Sequence, residues 1–324
     1  MRRNHFSAFP ARQTGAALLI LMLFIFLAAT SWVLGRGEAI GARNQLDKAT
    51  AAAMAQAKEA LIGRAATDQN RPGSLPCPDT NNDGGVPLLV GNHCPSYIGR
   101  LPWKYLRVGD LRDSAGERLW YALTPALRDD NSAQPINPQR PLELTLDGRP
   151  NIAAIIFAPG APAANQSGRS SNAAADYLDE ANHAYPNSAY ISGPPSPTFN
   201  DKALAITRDD IFRTVSQRVL AEIRGPDDNA AGPPTYGLRR YWAAYSTFPW
   251  ADSGSDGVGD VGTTSGKLPY NELMINPVSV VWLSANGWLP LITYQRLSPN
   301  LARLGIIGSN QTIDVIPCPA SPCP

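Results

Sequence analysis

Asp79-Thr80-Asn81-Asn82-Asp83-Gly84 sets oxygen-bearing side chains two residues apart ahead of a glycine turn. That alternation aims carboxylates and an amide at one point, as the start of a calcium loop does, so Asp79, Asn81 and Asp83 are candidate Ca2+ ligands. Val90 stands where a full EF-hand loop would supply its closing glutamate, so the EF-hand pattern fails. A solvated turn rich in Asn and Asp is the competing reading. Asp252, Asp256 and Asp260, in a Gly-rich stretch, form a second and weaker acidic loop with the same two readings. No other cofactor is indicated.

The four cysteines fall into the pairs Cys77/Cys94 and Cys318/Cys323. Three connectivities are open, and local pairing is favoured because prolines and turn residues bound each pair and fold the chain back on itself. The wide spacing of Cys318 and Cys323 does not match a redox CxxC pair, and no histidines stand near to complete a zinc site. The pairs read as structural disulfides of an oxidising compartment.

Catalytic chemistry has little to work with. His5 lies near the N-terminus, which leaves His93 and His183 in polar, loop-like surroundings, and no GxSxG or HExxH motif accompanies them. Gly266-Lys267 is followed by Leu268 and lacks the glycine spacing of a phosphate loop. Asp129/Asp130, Asp209/Asp210 and Asp227/Asp228 are sequence neighbours, which ordinarily mark turns and helix starts. The many aromatics, among them Trp103, Trp120, Trp250, Trp282 and Trp288, read mainly as core. A net charge of +1 without a basic cluster argues against nucleic acid as a partner.

The elements that would carry such loops begin at the N-terminus. Arg2, Arg3 and Arg12 precede a run from Gly15 to Gly35 that has no ionisable side chain. At about 1.5 Å per residue, some 20 residues span roughly 30 Å, the thickness of a hydrocarbon core. Basic residues before the run favour a cytoplasmic N-terminus, a single membrane pass and an exported, periplasmic body. From Glu38 to Ala66 the chain is alanine-rich and proline-free, with Leu46, Ala49, Ala53, Ala57, Ala60 and Leu61 at helical spacing. The two segments are expected to form one helix, apolar in its first half and amphipathic in its second, ended by Arg71-Pro72-Gly73.

Arg12-Gln13-Thr14-Gly15 followed by Ala16-Ala17-Leu18-Leu19-Ile20-Leu21 resembles the start of a type IV prepilin or a type II secretion pseudopilin. The resemblance covers the N-terminal part of the chain, about 65 residues. It implies that a prepilin peptidase cuts between Gly15 and Ala16 and methylates Ala16. Two positions depart from the family pattern: Ala16 replaces the usual phenylalanine, and Ile20 the usual glutamate. A carboxylate in hydrocarbon is costly unless paired, so its loss removes a reason to pack below another subunit. The large tip-type pseudopilin also lacks that glutamate. The implied function is therefore a non-enzymatic minor subunit, at the tip or cap of a type IV pilus or type II secretion filament. Its implied partners are other pilin-like subunits, the inner-membrane assembly machinery and the prepilin peptidase. A membrane-anchored periplasmic binding module is the alternative, and an anchored envelope enzyme a further one.

Three regions follow: a leader (1–15), a membrane and amphipathic helix (16–66) and an exported globular domain (67–324). The chain has 30 prolines and 27 glycines, most of them in this domain, which is therefore expected to be loop-rich. Strands are predicted at Leu142–Leu146 and at Ile152–Ala158, the latter central because it is apolar throughout. Residues 159–200 read as a surface excursion. A helix is predicted from Asp209 to Arg224, capped by Thr207 and Asp210. A hairpin of Val278–Leu283 with Trp288–Tyr294 is predicted around Ser284-Ala285-Asn286-Gly287. No internal repeat is evident. The expected class is α+β with antiparallel strands behind a long N-terminal helix.

Overall fold

The computed structural model describes residues 14–130, 134–166, 168–184, 188–226 and 234–318, with backbone alone over 14–20 and 28–43. The chain divides into two compact units, Met1–Ala51 and Ala52–Pro324. Helix α1, Thr14–Thr67, contributes residues to both.

In the first unit, the seven consecutive apolar residues Leu21–Leu27 are all exposed. Among the described residues no helix is long and apolar enough to cross a membrane. The expectation of a transmembrane half is therefore corrected. The amphipathic stripe is right in part: Ala57 and Leu61 are buried and Ala53 and Ala60 half-buried, but Leu46 and Ala49 are exposed, and Met54 and Ala65 join the buried face. The buried positions recur at three- and four-residue spacing, as one face of a helix requires.

The second unit is α+β. Gly73 lets the chain leave α1 with φ +101°, where an added Cβ would lie 2.7 Å from Ile136. A six-stranded sheet contains β1 (Ile98–Arg100), β2 (Trp120–Leu123), β3 (Leu144–Leu146), β4 (Arg149–Ala158), β5 (Ala189–Tyr190) and β6 (Lys202–Thr207). Its order is β1-β2-β4-β3-β5, with β6 on β4. β4 is central, as its apolar sequence predicts, and is buried without a break from Ile152 to Ala158. Ala154 and Ile156 face the main core, while Ile155 and Phe157 face a smaller second one. Tyr177, Leu178 and Tyr190 complete that second core. Residues 159–200 are thus not only a surface excursion; they cover the outer face of the sheet.

Helix α2, Arg208–Arg224, starts at the expected capping box of Thr207 and Asp210 and buries Ile211, Phe212, Val215, Val219, Leu220 and Ile223. Helix α3, Gly237–Tyr245, follows. A second sheet is an antiparallel meander of β7 (Ser265–Lys267), β8 (Ile292–Ser298), β9 (Leu301–Ile306) and β10 (Thr312–Val315). The predicted hairpin is wrong in its first arm. Pro277–Ala285 is helix α4, with Pro277 in its first turn and the Asn276 side chain accepting the Val278 N–H. An Asn-Pro start outweighs the β-branched valines that suggested a strand. Its second arm is partly right: Ile292–Ser298 is strand, but it pairs with β9 and β7.

Candidate functional site

The first acidic loop is built around one carboxylate. Asp79 is 1% exposed, and its Oδ1 accepts the N–H groups of Asn81 (3.0 Å) and Asn82 (2.8 Å). Its Oδ2 accepts the N–H of Gly84 at 2.7 Å. Asn81 donates to Asp83 Oδ2, and Asp83 Oδ1 accepts the Gly85 N–H. The backbone bond to Gly85 and the Asn81 amide hold the Asp83 carboxyl below its ordinary range. The turn does bring Asp79, Asn81 and Asp83 together. However, the Asp79 oxygens point at backbone donors, so this carboxylate folds the loop.

The second loop is the same structure. Asp252 is also 1% exposed; its Oδ1 accepts Gly254 and Ser255 N–H, and its Oδ2 accepts Gly257 N–H. Burial raises the Asp252 pKa, but the bonds from Ser255, Gly257 and Gly254 outweigh it and leave the carboxyl below its ordinary range. Asp256 Oδ1 accepts the Val258 N–H, as Asp83 does from Gly85. Asp260 instead binds the Ser253 N–H and hydroxyl. Each loop is clasped to a strand by paired backbone bonds, Asp79 with Arg100 and Asp252 with Lys267. The two loops thus share one local geometry, which the sequence analysis did not single out. Among the described residues no group of three or more His, Cys, Asp or Glu stands ready to hold a metal ion.

The disulfide Cys77–Cys94 closes the first loop, with Cα atoms 5.5 Å apart. Cys318 is also disulfide-bonded, whereas Cys323 lies outside the described residues. Gly15 and Ala16 fall within the helical backbone of α1, and the leader before Thr14 lies outside the described residues.

The C-terminal part of α1 is built into the globular unit by packing and by charge. Lys58 Nζ donates to Asp210 Oδ2 at 2.8 Å and to the Ala205 carbonyl at 3.1 Å. Asp210 is also the third residue of α2, and its carboxylate accepts the Thr207 N–H in the capping box. Burial raises its pKa, but Lys58 and Thr207 outweigh that and hold the carboxyl below its ordinary range. Arg64 bonds Asp68 at 2.6 Å, Asp129 at 3.1 Å and the Tyr105 hydroxyl at 2.6 Å. Asp68 lies one helical turn on, whereas Asp129 and Tyr105 come from separate loops that spacing along the sequence did not bring together.

Among the described residues, the two histidines lie apart in the chain. His93 Nδ1 lies 3.3 Å from the Tyr97 hydroxyl, and His183 belongs to a short 3-10 turn far along the chain. One ionisable cluster escaped sequence reasoning. Asp201 Oδ2 accepts the Asp179 N–H and the Asn182 amide, while the Asp179 carboxylate accepts from Gln166 and Asn200. Burial, with Asp179 nearby, raises the Asp201 pKa to about 7. The cluster pins residues 159–200 to the sheet. No known protein family, curated protein or solved structure matches the chain.

Proposed function

We propose that the chain is a non-enzymatic, pilin-like minor subunit of a type IV pilus or type II secretion filament, placed at the tip or as a cap. Helix α1 is its assembly element. The observation that carries this reading is the contrast within that helix. Leu21–Leu27 presents apolar side chains around the whole circumference, exposed in the isolated chain, while Leu61 and Ala65 are sealed in the globular core. A helix apolar on all sides needs apolar neighbours, and neighbouring subunits' helices provide them by length and packing alone. The Cys77–Cys94 disulfide agrees with an exported head in an oxidising, periplasmic compartment.

The reading is tested by expressing an epitope-tagged chain in cells that assemble such filaments. The sheared and purified filaments should contain the tagged chain, and cross-links from a cysteine at Phe24 should join it to another subunit. Filaments that never contain it would contradict the proposal.

A further inference from the structure

We infer that the head is a tandem duplication, two copies of one clasp-and-meander module carried on a single assembly helix. The correspondence extends well beyond the acidic loops. Leu75-Pro76 and Phe248-Pro249 lead into the two aspartates, and both leading residues are buried. Asn82 and Ser255 have φ of 66° and 88°, and Gly84 and Gly257 both have φ of 80°. A Cβ on Gly84 would strike the Trp103 ring at 2.5 Å, and one on Gly257 the Tyr270 ring at 2.7 Å. Those rings sit in matching tetrads, Arg100-Leu101-Pro102-Trp103 and Lys267-Leu268-Pro269-Tyr270. The next residues, Lys104 and Asn271, donate their N–H to Gly84 and Gly257 carbonyls.

The strands keep the same register. Gly99 faces Tyr121 and Gly266 faces Tyr294, with both tyrosines fully buried. Only glycine fits at either position, since a Cβ would lie 2.5 Å from the Asp79 carbonyl or 2.4 Å from that of Asp252. Tyr121 then pairs with Ile156 and Ile156 with Leu204; Tyr294 pairs with Leu304 and Leu304 with Ile313. The path β1-β2-β4-β6 is therefore the path β7-β8-β9-β10. Short Asx turns recur by convergence, but a shared loop, tetrad and four-strand register over both modules do not. The copies differ by insertions: β3, β5 and residues 159–200 in the first, α4 in the second. Cys77, bridged to Cys94, corresponds to Trp250, which Arg296 stacks upon at 4.0 Å.

The consequence rests on the filament reading above. A shaft of equivalent subunits has one head for each assembly helix. A chain with two head modules on one helix brings a head for which the shaft holds no place, which suits an end position.

The duplication is tested on the full chain by exchanging the loops. Thr80→Ser/Asn81→Gly/Asn82→Ser and the reciprocal Ser253→Thr/Gly254→Asn/Ser255→Asn should each move Tm by no more than about 2 °C, against a loss of about 5 °C or more for Asp79→Ala or Asp252→Ala. An exchange as damaging as the alanine variants would overturn the inference. Hydrogen exchange on the unsubstituted protein gives a second reading: matched protection at Asn82/Ser255 and Gly84/Gly257 supports it, and protection in one loop alone opposes it. Gold labelling of filaments tests the end position separately. Label at one end supports that position; label along the shaft overturns it without touching the duplication.

Discussion

Asp79 and Asp252, far apart in the chain, accept the same set of backbone N–H groups, at the second, third and fifth residues that follow each of them. Both are buried, and each is clasped to a strand. Truncating either leaves three amide donors without their acceptor. Asp79→Ala and Asp252→Ala should each cost about 3 kcal/mol by urea unfolding, with similar values for the two. The Asn variants, which keep one acceptor oxygen, should cost less.

Calcium should contribute little to these loops. The aspartate oxygens that would bind it already accept backbone N–H groups, and releasing them would unfold the turn. Addition of calcium at millimolar concentration should shift Tm by less than about 1 °C. A rise of several degrees, abolished by Asp83→Asn, would contradict this.

Much of this architecture was legible beforehand, and the reasons differ by element. The capping box at Thr207/Asp210 and the unbroken apolar run of β4 are local signals, and local signals survive folding. The pairing of Cys77 with Cys94 follows from proximity in a turn-rich stretch. Helix α4 departs from the expected strand: Val278, Val280 and Val281 favour strands by propensity, while the decisive Asn276-Pro277 start is a two-residue cue. The duplication escaped notice because its fixed points are aspartate, glycine and proline at unequal intervals, whereas the core residues between them are freely exchanged. The Asp179/Asp201 cluster and the Arg64 contacts with Tyr105 and Asp129 are tertiary, so no spacing could reveal them.

The Asp201 carboxyl gives a pH signature. Its pKa is raised from 3.8 to about 7, so the folded state binds its proton more tightly than the unfolded chain does. Its contribution is therefore full below about pH 4 and is lost as pH rises towards and through 7. Asp201→Asn mimics the protonated group and should remove that fall: the variant gains stability over the unsubstituted protein at pH 8 and gains nothing at pH 4. An equal difference at both values would contradict the assignment.

The packing of the last turns of α1 into the globular unit is testable. Leu61 is fully buried, so Leu61→Ala should cost about 2–5 kcal/mol. Lys58→Met removes one partner of a partly exposed ion pair and should cost about 1 kcal/mol or less, with the loss shrinking at high salt. Asp210→Ala removes that pair and the carboxylate half of the capping box, while its own N–H stays on Thr207 Oγ1, and should cost more than Lys58→Met.

The Cys77–Cys94 bridge closes a loop of 17 residues' separation. Cys77→Ser/Cys94→Ser should lower stability by about 3 kcal/mol, read by urea unfolding without reductant.

The central claim, that this is a subunit of a pilin-like filament, is tested most directly by the N-terminus of the protein produced with a prepilin peptidase. Intact-mass and N-terminal peptide measurements should show a chain that begins at Ala16, lacks Met1–Gly15 and carries one added methyl group. A chain that still begins at Met1 in the presence of an active peptidase would contradict the account.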